Sequence, residues 1–213
     1  MRNKTKTRKQ KVLILGAITL ILAALVALIL GLGRVHTMEG ALRASENTCG
    51  TRETEPVAEM EVGNATFCLS RNESTLLVTW FKPWMHPEEA FVGAIDLTKT
   101  APDEHILGGW RLHFKIQNDR EYALVFGQSD LEPADTLRAH FYETGEHLDS
   151  PVTTTQDGRQ YFLLVWDGPI QWQGNGAVAS LPNFNRLALL DKDGKELYSF
   201  PVQNSFPPAP FTH

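Results

Sequence analysis

The chain has 213 residues, 20 Lys and Arg against 25 Asp and Glu, and a formal net charge of −5. Residues 1–11 (MRNKTKTRKQK) hold six of the bases and no acid, so everything after them carries −11. Nucleic acid requires a basic face, so an acidic body disfavours it, and no nucleic-acid partner is expected.

Val12 to Gly33 contains 22 residues with no charge, and Thr19 is its only polar side chain. At about 1.5 Å per residue a helix of this length spans roughly 33 Å, enough for the hydrocarbon core of a bilayer. A soluble core helix is seldom apolar on every face, as this run is. It is also longer than the apolar region of a secretory signal peptide, and Arg34-Val35-His36-Thr37-Met38 offers no small-residue cleavage site. The run reads as an uncleaved signal-anchor. The basic flank predicts that residues 1–11 stay cytoplasmic and that residues 34 onward lie outside a single-pass cell-membrane helix.

Residues 34–55 are polar without a sustained period and read as a stalk; Met38 to Ser45 could add a helical turn or two. Cys49 and Cys68 fall on the expected outer side, where a disulfide is the natural pairing, with two buried thiols as the alternative. The bridge would contribute on the order of 3 kcal/mol by closing its loop. Their spacing does not suit a metal site.

From residue 56 to 203 the pattern is of short alternating runs between turn residues, which predicts strands. VAEMEVGNATFCLS reads as a hairpin broken at Gly63-Asn64, and STLLVTWF follows. In WRLHFKIQ, Trp110, Leu112, Phe114 and Ile116 share one face; Asn118-Asp119 then turns the chain into EYALVFG, necessarily antiparallel. LRAHFYE is open to a helix reading because Pro133 precedes it and Gly145 follows. However, AHFYETGEHLDS resembles ALLDKDGKELYS, with Gly145 and Gly194 in matching turns and Leu148 and Leu197 three residues beyond, so both read as hairpins. QYFLLVW is apolar on both faces and reads as a central strand. Together these predict an all-β fold, an antiparallel β-sandwich of immunoglobulin-like or jelly-roll-like type, behind the single N-terminal helix. The proline-rich tail 204–213 cannot be a regular strand.

Chemistry-bearing patterns are sparse. Asp191-Lys192-Asp193-Gly194 suggests a calcium loop, but counting from Gly194 places Leu189 and Phe200 at the end ligand positions, so a hairpin turn is expected. His140 and His147 lie across the proposed turn at Gly145 and read as polar face residues. No G-x-S-x-G, S-x-x-K or phosphate loop occurs, and no cofactor, metal or catalytic residue is expected. Asn64 and Asn72 match the glycosylation acceptor pattern. Two tryptophans are the candidate ligand contacts. Trp84 lies in TWFKPWMHPEE. Trp172 lies between two glutamines beside Gly174 and Gly176, with Pro169 upstream. A Trp in such a loop can stack on a sugar or a protein side chain; otherwise it caps the core.

These features favour a non-enzymatic binding or structural module at the cell surface, held in the lipid bilayer by residues 12–33 and contacting an unknown surface protein or carbohydrate. The alternatives are an exported hydrolase acting on surface polymers, or an accessory subunit packing Gly16, Ala17, Ala23, Ala24 and Ala27 against another membrane protein.

Overall fold

The computed structural model describes residues 3–32, 34–99, 106–116, 120–131, 133–141, 145–169, 171–173, 176–178 and 184–201. Side chains are described for residues 12–26, 34–99, 108, 122–131, 133–141, 145–167 and 186–199. The tail 204–213 lies outside these ranges.

The elements in chain order are α1 (Asn3–Leu32), α2 (Met38–Cys49), β1 (Glu55–Val62), β2 (Ala65–Arg71), β3 (Thr75–Phe81), β4 (Phe91–Asp96), β5 (Ile106–Ile116), β6 (Arg120–Ser129), β7 (Thr136–Phe141), β8 (His147–Thr154), β9 (Gln160–Pro169), β10 (Gln171–Gln173), β11 (Gly176–Val178), β12 (Phe184–Leu190) and β13 (Glu196–Pro201). The body is mostly β and antiparallel. A four-stranded sheet runs β1-β2-β3-β4, and a seven-stranded sheet runs β13-β12-β7-β8-β9-β6-β5, with a two-stranded ribbon β10-β11.

Side-chain alternation divides the interior in two. On β6 and β9, Tyr122, Leu124, Phe126, Tyr161, Leu163 and Val165 point into one core, shared with Phe67, Leu69, Leu76, Val78, Trp80 and Val92 of the smaller sheet. The Phe67 and Tyr122 rings lie 5.6 Å apart, and the Phe126 ring of the larger sheet packs over Gly93 of the smaller one. The two sheets therefore face each other. β1 also lies against β9, where the Val165 N–H approaches the Met60 sulfur at 3.3 Å, and β4 lies against β5. The sandwich thus approaches closure at both edges.

The opposite face of β6 and β9 presents Ala123, Val125, Phe162 and Leu164 to a second core with Leu137, Ala139, Phe141, Leu187 and Leu189 from β7 and β12. β8 makes this second core. Its first half pairs with β7 and its second half with β9, so the sheet turns there and folds its outer strands back. The expectation that QYFLLVW is central holds, because β9 is covered on both faces. The twin hairpins also form: β7 pairs with β8 and β12 with β13, around Gly145 and Gly194 at φ 69° and 77°, a conformation glycine enters freely.

Two expectations are corrected here. Residues 38–49 are not stalk. Thr37 caps α2 by accepting the Gly40 N–H, left-handed Gly50 closes it, and Ala41, Leu42, Ser45 and Glu46 are buried. α2 packs on β3 and β4, and its Ala41 joins the first core, with Met38 and Ala44 packed against it. The buried Glu46 carboxylate accepts from the Thr54 N–H and hydroxyl at 2.5 and 2.8 Å and from Arg43 at 2.9 Å, tying helix to sheet.

The Cys49–Cys68 disulfide is not formed; both are free thiols. The reason is register. Cys68 pairs with Thr79, whereas the α2 C-terminus lies beside Thr75, which bonds Thr51 at 3.0 Å. Four strand residues separate these levels, about 13 Å, and a disulfide needs Cα atoms within roughly 7 Å. Burial, with Glu59 opposite, pushes the Cys68 thiol up to about 12. Burial and then Asp96 raise Cys49. Both thiols are poor nucleophiles.

No helix among the described residues is long and apolar enough to cross a membrane. The described side chains of α1, residues 12–26, cover about 22 Å of axis against the roughly 30 Å of a bilayer core.

Candidate functional site

β3 ends at Phe81, and Lys82-Pro83-Trp84-Met85 turns the chain toward β4. The turn closes by donation from the Met85 N–H to the Lys82 carbonyl at 3.2 Å. Trp84 occupies its third position with φ 69°, and it is the one non-glycine residue at positive φ among the described residues. Turns of this kind normally put glycine there, because a side chain in the left-handed region crowds its own backbone.

The segment just beyond α1 fastens this turn from outside. Val35 and Met85 form an antiparallel bridge, with the Val35 N–H donating to the Met85 carbonyl at 2.9 Å. The Trp84 N–H donates to the Val35 carbonyl at 2.9 Å, and Arg34 donates to the Trp84 carbonyl at 3.3 Å. The Val35 and Met85 side chains are buried, 6% and 2% exposed, and peg the corner into the first core. Trp84 points the other way and is 64% exposed. The His36 ring stands edge-on to its indole, centroids 4.4 Å apart at 84°.

Trp80, four residues earlier, is the counterexample. It is 3% exposed, and its indole N–H donates to the Glu89 carbonyl. Of the two expectations for Trp84, the structure matches exposure and not core capping.

Trp172 lies at the middle of β10, opposite Ala177 on β11; its backbone is strand rather than loop, and its side chain lies outside the described residues. Its ribbon leaves β9 at Pro169. Asp157 and Tyr161, flanking the start of β9, contact Arg71 at the far end of β2, and Val165 meets Met60 midway. β9 therefore runs toward the β1–β2 turn at Gly63-Asn64, the end where β3 delivers the Trp84 turn. β9 thus hands the chain to the Trp172 ribbon from the same end of the body that carries the Trp84 turn.

Elsewhere the candidates are structural. His140 and His147 pair directly across β7 and β8, with ring centroids 6.1 Å apart. Burial, then Arg186 and Arg138, lowers His140. No group of three His, Cys, Asp or Glu residues able to hold a metal occurs among the described residues. Asp191 accepts the Asp193 and Lys195 N–H groups at 2.9 Å, so it closes the expected hairpin turn. Asn64 is exposed in its turn. Asn72 is committed: its amide donates to Thr51 and to the Arg52 carbonyl, and its oxygen accepts from the Ser74 and Thr75 N–H groups.

The corner at Trp84 thus offers an upright indole flanked by Arg34, His36 and Lys82, a surface for stacking or for a polar–apolar boundary. Sequence reasoning named Trp84 but missed its partners Arg34 and His36. The only signal for them was their place directly after the apolar run. The chain matches no family model, no curated protein and no solved structure.

Proposed function

We propose that the chain is a membrane-anchored, non-enzymatic binding or structural module. In this reading α1 lies in the bilayer, residues 1–11 stay cytoplasmic, and the β body sits at the outer surface, presenting its α1-proximal end, with Trp172 a candidate contact for a surface protein or carbohydrate. One observation carries the reading. Ten large apolar side chains between Val12 and Val26 are 48–73% exposed on one helix, with none of the described residues covering them. At about 1.5–3 kcal/mol for each such side chain, leaving them in water costs on the order of 15–30 kcal/mol, more than the stability of a typical domain. The uncharged run also extends beyond its described part, to Gly33, and it follows six bases.

Alkaline extraction of membranes, followed by protease treatment of intact cells, tests this. The expected result is a chain that stays with the bilayer and loses its β body to external protease. Release at high pH, or a protected body, would overturn the reading.

A further inference from the structure

We propose that Trp84 is an interfacial anchor that seats in the phospholipid headgroup–acyl boundary and fixes the β body against the membrane surface. The inference rests on the reading of α1 as bilayer-embedded and adds a second, independent attachment point to it.

The first support is reach. Val35, whose carbonyl holds the Trp84 N–H, is three Cα steps past Leu32, at most about 11 Å of chain. The turn therefore stays at the mouth of α1 whatever the tilt of the body. The second is local conformation. Trp84 holds a left-handed backbone that glycine would occupy without crowding, and the surrounding bonds from Val35 and Arg34 keep it there. A strained position with a large aromatic side chain persists when its surroundings over-determine it, and such positions gather at sites of use. The third is direction. The indole is turned away from the core that takes Trp80, Met85 and Val35, and the His36 ring edge holds it upright.

An exposed indole with a flat apolar face and one N–H donor matches the boundary where lipid acyl chains meet headgroups, and Trp is enriched there for that reason. Arg34, whose guanidinium donates to the Trp84 carbonyl, and Lys82 of the same turn bring two long basic side chains to this corner, a residue type that can extend its charge toward headgroups. Glu39, Glu88 and Glu89 lie close by in the chain, so the corner carries both signs and does not select an anionic lipid. The occupant is the boundary region of a zwitterionic bilayer.

The test uses the full chain reconstituted in phosphatidylcholine vesicles, with bromine carried at a shallow acyl position to quench tryptophan emission on contact. Wild type and Trp84→Phe are compared. The expected result is at least a twofold smaller quenched fraction in Trp84→Phe. Equal quenching in the two would overturn the anchor. So would Trp84 emission that stays open to aqueous iodide with vesicles present, because the ring would then face water and suit a soluble partner instead. An alkaline wash of the same vesicles separates the two readings. A chain that washes off overturns the reading of α1 and the anchor with it, whereas a retained chain with equal quenching overturns the anchor alone. Trp84→Gly guards against a purely structural role. Its urea midpoint is expected at or above that of wild type, since glycine relieves the backbone, while its quenched component is lost as in Trp84→Phe. A midpoint well below that of Trp84→Phe would place the indole in the service of the fold and overturn the proposal.

Discussion

The two ends of the β body are built on opposite principles. At the far end, the β2–β3 turn is organised by Asn72, whose side chain satisfies Thr51, Arg52, Ser74 and Thr75, while Arg71 bonds Asp157 at 2.8 Å. These bonds join one part of the chain to another. At the near end, the Lys82–Met85 turn is equally well fastened, yet its fastening holds an aromatic ring out of the core in a conformation the ring's own residue disfavours. Local order at one end serves closure, and at the other it serves display.

The sharpest way to break this comparison is to truncate the two tryptophans of the near end separately. Trp80→Ala removes a buried ring and its hydrogen bond to Glu89, and should lower stability by about 3–5 kcal/mol. Trp84→Ala should change it by less than about 1 kcal/mol. Urea denaturation of the two variants in the same detergent measures both. Comparable losses would show that Trp84 supports the core after all.

The far end should respond next. Asn72→Ala leaves the Ser74 and Thr75 N–H groups without their acceptor and should lower stability by about 1–3 kcal/mol. Asn72→Asp keeps the acceptor and loses the donors, so it should fall between the two. If Asn72→Ala melts like wild type, the claim that this end is built for closure fails.

The smallest effect is a pH dependence. The Thr155 hydroxyl first, and then Arg71, hold the Asp157 carboxyl down to about 2, well below the ordinary carboxylate range. A depressed folded-state value stabilises the fold above about pH 4, where the unfolded group is ionised, and this contribution fades as pH falls toward 2. Asp157→Asn should therefore melt at lower urea than wild type near neutral pH, and the two curves should converge near pH 2. A gap that persists at pH 2 would show that the ionised carboxyl is not its source.

Much of the β body was legible because alternation and turn glycines act locally. The Gly63-Asn64 turn, the twin hairpins and the central QYFLLVW strand follow from period-two patterning and from positions that only glycine fills easily. α2 was not legible as part of the body. Its buried face is Ala41, Leu42, Ser45 and Glu46, too small and too polar to register as a helical stripe. Its real signals were the Thr37 cap and Gly50. The cysteines misled for a related reason: spacing in sequence carries no information on the register that sets Cys68 opposite Thr79 and the end of α2 beside Thr75, four strand residues away. For Trp84, exposure could be weighed in advance, but the left-handed backbone could not, because a Lys-Pro-Trp-Met turn places the bulky residue where glycine is the rule.

The packing of α2 also changes the length of the leash. Had residues 34–55 been an extended stalk, the body could have ranged up to about 70 Å from the end of α1. With α2 folded into the body and Val35 bridged to Met85, only three Cα steps separate Leu32 from the first residue fastened to the body. A body held on about 11 Å of chain sweeps only a thin shell around the helix end. Its effective concentration toward anything in that shell is high, and toward anything farther out it is essentially zero. Any contact the near end makes outside the body is therefore confined to the neighbourhood of the end of α1, and, on the reading proposed above, a lengthened tether with Gly and Ser inserted after Gly33 would release that confinement without altering a single contact in the β body.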